Sequence, residues 1–102
     1  MVKHVILWKL KEELQGEEKA KVVAGIKEHL EALDGKIPGM ISIHVQATEL
    51  LASSNADVML DSSFENEEAL KGYAVHPAHV AVADTYVRPF TQTRLCLDYV
   101  TE

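Results

Sequence analysis

Hydrophobic residues along this chain recur with a period of two, then about 3.6, then two twice over, then 3.6, then two, and 102 residues leave few ways to bury such a series. Residues 2–10 alternate, with Val2, His4, Ile6, Trp8 and Leu10 on one face and Lys3, Val5, Leu7 and Lys9 on the other, which predicts a strand. Residues 17–33 place Val22, Val23, Ile26, Leu30 and Leu33 at helical spacing, with Glu17 and Glu18 suited to the positive end of a helix. Asp34-Gly35 and Pro38-Gly39 end that helix. Residues 40–47 alternate again, and Ser53, Ser54 and Asn55 mark a hairpin into a third strand at residues 56–64. Asn66 is a predicted helix cap, its side chain positioned to accept from the exposed N–H groups of the next turn, with Glu67 and Glu68 adding favourable charge. That helix runs to about Tyr73, and Pro77 both breaks it and opens a second helical segment at an angle, residues 77–87. Residues 91–100 form the last strand, Leu95, Leu97 and Tyr99 alternating with Arg94, Cys96 and Asp98.

The order βαββαβ predicts an α+β protein with the ferredoxin-like arrangement, a four-stranded antiparallel sheet carrying both helices on one face within a single domain, residues 1–102. The helix-covered face is expected to hold Ile41, Ile43, Val45, Val58, Leu60, Leu95 and Leu97, which are all apolar. The opposite face is then mixed: Met40, Ser42, His44, Met59, Asp61, Arg94, Cys96 and Asp98, plus one side of the first strand. A partly apolar sheet face is seldom left to water, and a chain this short gains by burying more surface in a homodimer packed sheet to sheet. The net charge of −6 offers no basic footprint for nucleic acid or an anionic membrane. A single cysteine, Cys96, and an N-terminus without a secretory signal pattern predict a cytoplasmic protein, and no apolar run reaches the roughly 20 residues of a membrane-spanning helix.

Two segments, MVKHVILWKLKEE and YAVHPAHVAVADTYVRPF, resemble the paired signatures of the stress-responsive A/B-barrel domain family, and the similarity extends over the whole chain in length and element order. The resemblance implies a dimeric α/β barrel of two ferredoxin-like subunits. The family includes a plant polyketide cyclase that closes an aromatic ring by an intramolecular aldol reaction. Carried over on the matching positions, Tyr73 and His79 correspond to its catalytic pair and His4 to a residue lining the pocket beside them. Imidazole, with an ordinary pKa near 6.5, suits removal of a proton next to a carbonyl, and a hydrogen bond from Tyr73 or His4 suits the developing enolate oxygen. One departure concerns shape. Residues 17–33 contain no Phe, Tyr or Trp, whereas that cyclase shapes its pocket with aromatics from its first helix, so a different pocket is expected.

Each candidate also has a plain structural reading. Ile6 and Trp8 share a face with His4 and are either pocket wall or core. His76 is a candidate pocket residue, and equally a backbone cap at the kink before Pro77. Tyr73 at a helix end either anchors a turn or serves the site. His29 is expected to face solvent, and Tyr86 is a side chain able to fill the pocket. His76 and His79 lie three apart on one side of a helix, but with no carboxylate or third ligand nearby in sequence no metal is expected, and no cofactor motif is found. Cys96 has neither activating setting for a nucleophile and reads as packing. The expected function is a homodimer holding a small apolar molecule in a cleft between sheet and helices. The alternatives are a cyclase or lyase acting on a carbonyl compound with His79 as base, and a structural oligomer.

Overall fold

The computed structural model describes residues 1–101. Its elements are β1 (Val2–Leu10), α1 (Gly16–Glu31), β2 (Met40–Gln46), β3 (Val58–Phe64), α2 (Glu67–Val75), α3 (Pro77–Val82) and β4 (Thr91–Val100). The strands form one antiparallel sheet in the order β2-β3-β1-β4, the ferredoxin-like topology. The helices cover one face, where Ile26, Leu30 and Leu33 pack with Ile6, Trp8, Val45, Val58, Leu60 and Phe64 in a single core.

Local chemistry sets the helix ends. Asn66 Oδ1 accepts from the Ala69 N–H at 2.9 Å, a cap worth about 1 kcal/mol. His76, extended at φ −65° and ψ 131°, separates α2 from α3, and its Nδ1 accepts from the Ala78 N–H while Pro77 opens the new helix. The chain then makes a π-helical turn over Ala83–Val87 and a 3-10 turn over Arg88–Phe90, where the expectation was one continuous helical segment. The wider π turn leaves Ala83 and Val87 both buried toward the sheet.

Pairing corrects the expected faces. Residues directly opposite in an antiparallel ladder share a side, and Trp8, Ile6 and His4 stand opposite Arg94, Cys96 and Asp98. Arg94, Cys96 and Asp98 therefore face the helices, while Leu95 and Leu97 lie on the open face, 64% and 62% exposed, beside Val5 and Leu7. Ile41 also departs from expectation. The register shifts between Met40 and Ser42, so Ile41 falls in a bulge and is exposed, and Met40 joins Phe64 on the helix side. Ile43, Val45, Val58 and Leu60 lie where expected.

The free edge of β2 is finished by α1. Lys27 Nζ donates to the Val45 carbonyl and the Glu31 carboxylate accepts from the Val45 N–H, each at 2.8 Å. Burial alone would raise the Glu31 pKa, but Lys27 and that N–H outweigh it and hold the carboxyl below its usual value. An edge covered in this way offers less of a template for pairing with another chain. Among the described residues no helix is long and apolar enough to cross a membrane.

Candidate functional site

Between the sheet and the α2–α3 layer lies a cavity of about 540 Å³. Its apolar wall comes from Ile6 and Trp8 of β1, Leu30 of α1, Leu60 of β3 and Val87 of the π turn. Its polar groups include His4, Tyr73 and His79, together with Glu67, Lys71, Arg88, Thr91, Arg94, Cys96 and Asp98. Strand alternation delivers the β1 and β4 contributions, since His4, Ile6 and Trp8 occupy every second position and face every second position of β4. The kink at His76 delivers the rest, because it turns α3 so that the His79 ring tilts against the Tyr73 ring, centroids 4.1 Å apart. The His4 ring meets the Tyr73 ring edge-on at 5.9 Å.

Three of these groups have unusual surroundings. Tyr73 is 2% exposed and its hydroxyl has no hydrogen-bond partner, while burial pushes its pKa up to about 12, against the attraction of Arg94. It is a phenol that stays protonated and can donate. Burial pulls the His79 pKa below the usual histidine value, opposed by a 3.3 Å contact between its Nδ1 and the Ala74 carbonyl and reinforced by the charges of Arg88, His4 and Arg94. At neutral pH this imidazole is uncharged and able to accept a proton. His4 is buried and its Nδ1 lies 2.5 Å from Asp98 Oδ1, a contact that fixes the ring so that its other nitrogen is turned away from Asp98.

The structure thus gathers His4, Ile6, Trp8, Tyr73 and His79 around one cavity. It places His76 outside that lining, where the imidazole caps α3, because the side chain of a residue at the kink reaches the following backbone before it reaches the sheet. His29 is half-buried rather than solvent-facing; it bonds to the Gly25 carbonyl at 2.8 Å and stacks on Tyr86 at 3.5 Å, which keeps Tyr86 out of the cavity. Sequence reasoning missed Arg94, Cys96 and Asp98 as cavity residues. Their period-two spacing was visible, but the side of the sheet they occupy was not.

Sheet order and helix placement define a ferredoxin-like α+β protein with a cavity between sheet and helices. The chain belongs to the stress responsive A/B barrel domain family, whose model matches residues 2–101. It is 29% identical over 100 residues to olivetolic acid cyclase of Cannabis sativa, covering 96% of this chain and 94% of that enzyme. Among solved structures it is similar to a dimeric Bacteroides fragilis protein of unknown function and ferredoxin-like fold, at 36% identity and a TM-score of 0.88, covering 96% of this chain and 93% of the other. The fold alone is shared with a hydroxynitrile lyase from Passiflora edulis, at 14% identity and a TM-score of 0.71 over 99% of this chain and 93% of that one.

Proposed function

We propose that this chain forms a homodimer that binds a small, largely apolar molecule carrying a carbonyl oxygen, in the cavity between its sheet and helices. The observation that carries this reading is the 540 Å³ cavity with an apolar wall and an unpartnered Tyr73 hydroxyl at its margin. Cavities of about 300–1,000 Å³ with few convergent polar groups are typical of small-molecule sites. A ligand oxygen that reached the Tyr73 hydroxyl would relieve that deficit. The dimer is supported by the open sheet face, where Leu7, Leu95, Leu97 and Tyr99 are exposed together, and by the dimeric state of the similar Bacteroides fragilis protein. We place the dimer in the cytoplasm, where a free thiol such as that of Cys96 stays reduced.

A second reading is favoured by one specific observation, the uncharged His79 beside the phenol of Tyr73. In this reading His79 removes a proton from the carbon next to the carbonyl while Tyr73 donates to the oxygen as it becomes an enolate, the acid-base chemistry of a cyclase or lyase. The likeness to olivetolic acid cyclase supports it, although α1, Gly16–Glu31, brings no Phe, Tyr or Trp to the wall.

One titration tests both readings. Trp8 is the sole tryptophan and lines the cavity, so its fluorescence reports on occupancy. A series of aryl alkyl ketones should change that signal saturably, and Ala74→Phe, which enlarges an exposed side chain on the cavity lining and leaves Trp8 the sole tryptophan, should abolish the response without lowering the melting temperature. A wild-type signal that never saturates would sink the ligand-binding proposal. Deuterium exchange at the ketone α-carbon, followed by NMR, then separates binding from catalysis. The second reading expects exchange that falls by about 100-fold or more in His79→Ala, and binding with no exchange removes it.

A further inference from the structure

No metal is expected at His76 and His79, but the fold brings His4 together with Cys96 and Asp98, 92 and 94 positions away. His4 Nδ1 lies 2.5 Å from Asp98 Oδ1, Cys96 Sγ lies 3.4 Å from the same oxygen and 4.0 Å from His4 Nδ1, and all three side chains line the cavity. We propose that His4, Cys96 and Asp98 form a three-ligand site for a divalent ion of the zinc class, with the fourth coordination position open to the cavity. This goes beyond the ligand-binding reading and does not depend on it.

The donor geometry supports the assignment. Tetrahedral zinc with bonds of about 2.3 Å to sulfur and about 2.0–2.2 Å to nitrogen and oxygen holds its ligands roughly 3.4–3.6 Å apart. The two sulfur distances bracket that range already. The nitrogen-oxygen distance is shorter because the two atoms share a hydrogen bond; a metal that replaces the hydrogen moves them apart by about 1 Å, within the reach of side-chain rotation. The donor set selects the class of ion. One thiolate, one imidazole and one carboxylate suit zinc, whereas magnesium and calcium prefer oxygen alone. Two anionic ligands cancel the charge of the ion, so the neighbouring Arg94 faces a neutral centre.

The strand framework makes the site cheap to build. Cys96 and Asp98 are two apart on β4, and Asp98 is paired with His4 on β1, so one ladder register places all three. A His–Asp hydrogen bond alone calls for no thiol beside it.

The test is a Co²⁺ titration of the untagged full-length chain in the presence of a phosphine reductant, with no ketone added. The expected result is one Co²⁺ per chain, with a sulfur-to-cobalt charge-transfer band and the strong visible bands of a four-coordinate ion, displaced by Zn²⁺ and not by Mg²⁺. Cys96→Ser should lose the charge-transfer band, and Cys96→Ser and Asp98→Asn should each weaken Zn²⁺ binding by at least about tenfold, since loss of an outer-shell partner alone costs that much. Cys96 is an exposed edge-strand residue, so Cys96→Ser should melt as the parent does; Asp98→Asn keeps a hydrogen bond to His4 and serves as the second variant. His76→Ala and His44→Ala should bind as the parent. Absence of stoichiometric Co²⁺, persistence of the charge-transfer band in Cys96→Ser, or loss of binding in either control overturns the proposal. Because the readout is metal binding, its failure leaves the ketone titration untouched, and the converse holds.

Discussion

Tyr73→Phe is the substitution whose sign is most informative. In most proteins, removing a buried tyrosine hydroxyl destabilises the fold because a hydrogen bond is lost. Here the hydroxyl is inaccessible and without a partner, so the folded state carries a desolvation cost with no bond to offset it. That cost is about 1–3 kcal/mol for a buried unsatisfied group. Phenylalanine keeps the ring, its edge contact with His4 and its packing on Phe64 and His79, so the apolar contribution is unchanged. Allowing for partial relief through small rearrangements, the variant should gain about 1 kcal/mol. For a domain of this size that corresponds to a rise of roughly 4–8 °C in melting temperature. The measurement is a calorimetric melt of both proteins at equal protein concentration, since a dimer melts in a concentration-dependent way. Ketone binding should weaken in the same variant, so stability and function move in opposite directions. A fall of 1 kcal/mol or more would falsify the reasoning, because it would mean that the hydroxyl is bonded in solution and that Tyr73 is a structural anchor.

Other consequences concern the sheet, a turn and the edge. Leu97→Asp places a charge in the exposed apolar face without touching the core, and should convert the proposed dimer to a folded monomer by sedimentation; a persisting dimer would locate the interface elsewhere. Gly39 has φ +78°, and a Cβ there would stand 2.5 Å from the Ala69 Cβ, so Gly39→Ala should cost about 1–3 kcal/mol in a urea melt, and a neutral effect would refute the packing of α2 on the β2 start. The Glu31 and Asp57 carboxyls are both held below their usual values, Asp57 because the Leu10 N–H and Lys19 outweigh the effect of burial. Groups with depressed folded values contribute stability that is complete above the unfolded values, 4.5 and 3.8, and is lost as pH falls through the folded ones. Stability should therefore decline below about pH 4.5, and Glu31→Gln should flatten that decline; an unchanged slope would mean that Glu31 is not the group responsible.

Element type was legible in the sequence because it depends on local periodicity. The alternation of residues 2–10 and 91–100, the Asn66 cap and the break at His76-Pro77 each follow from backbone sterics and hydrogen bonding within a few residues, and each appears in the structure. So did the gathering of His4, Tyr73 and His79, which the family resemblance supplied, with Ile6 and Trp8, which share a face of the first strand with His4; the fold places all five around one cavity. The chain by itself therefore determined its elements, their order and the ferredoxin-like class. It did not determine which side of β4 faces inward. Leu95 and Leu97 alternate with Arg94, Cys96 and Asp98 whichever way the strand is turned, and hydrophobicity favours putting the leucines under the helices. Only the register of β4 against β1 decides, since a shift of one residue exchanges the faces of the whole strand. That register turns the leucines toward the open face and gives the cavity its thiol, carboxylate and guanidinium, a choice that a two-sided strand leaves to long-range pairing.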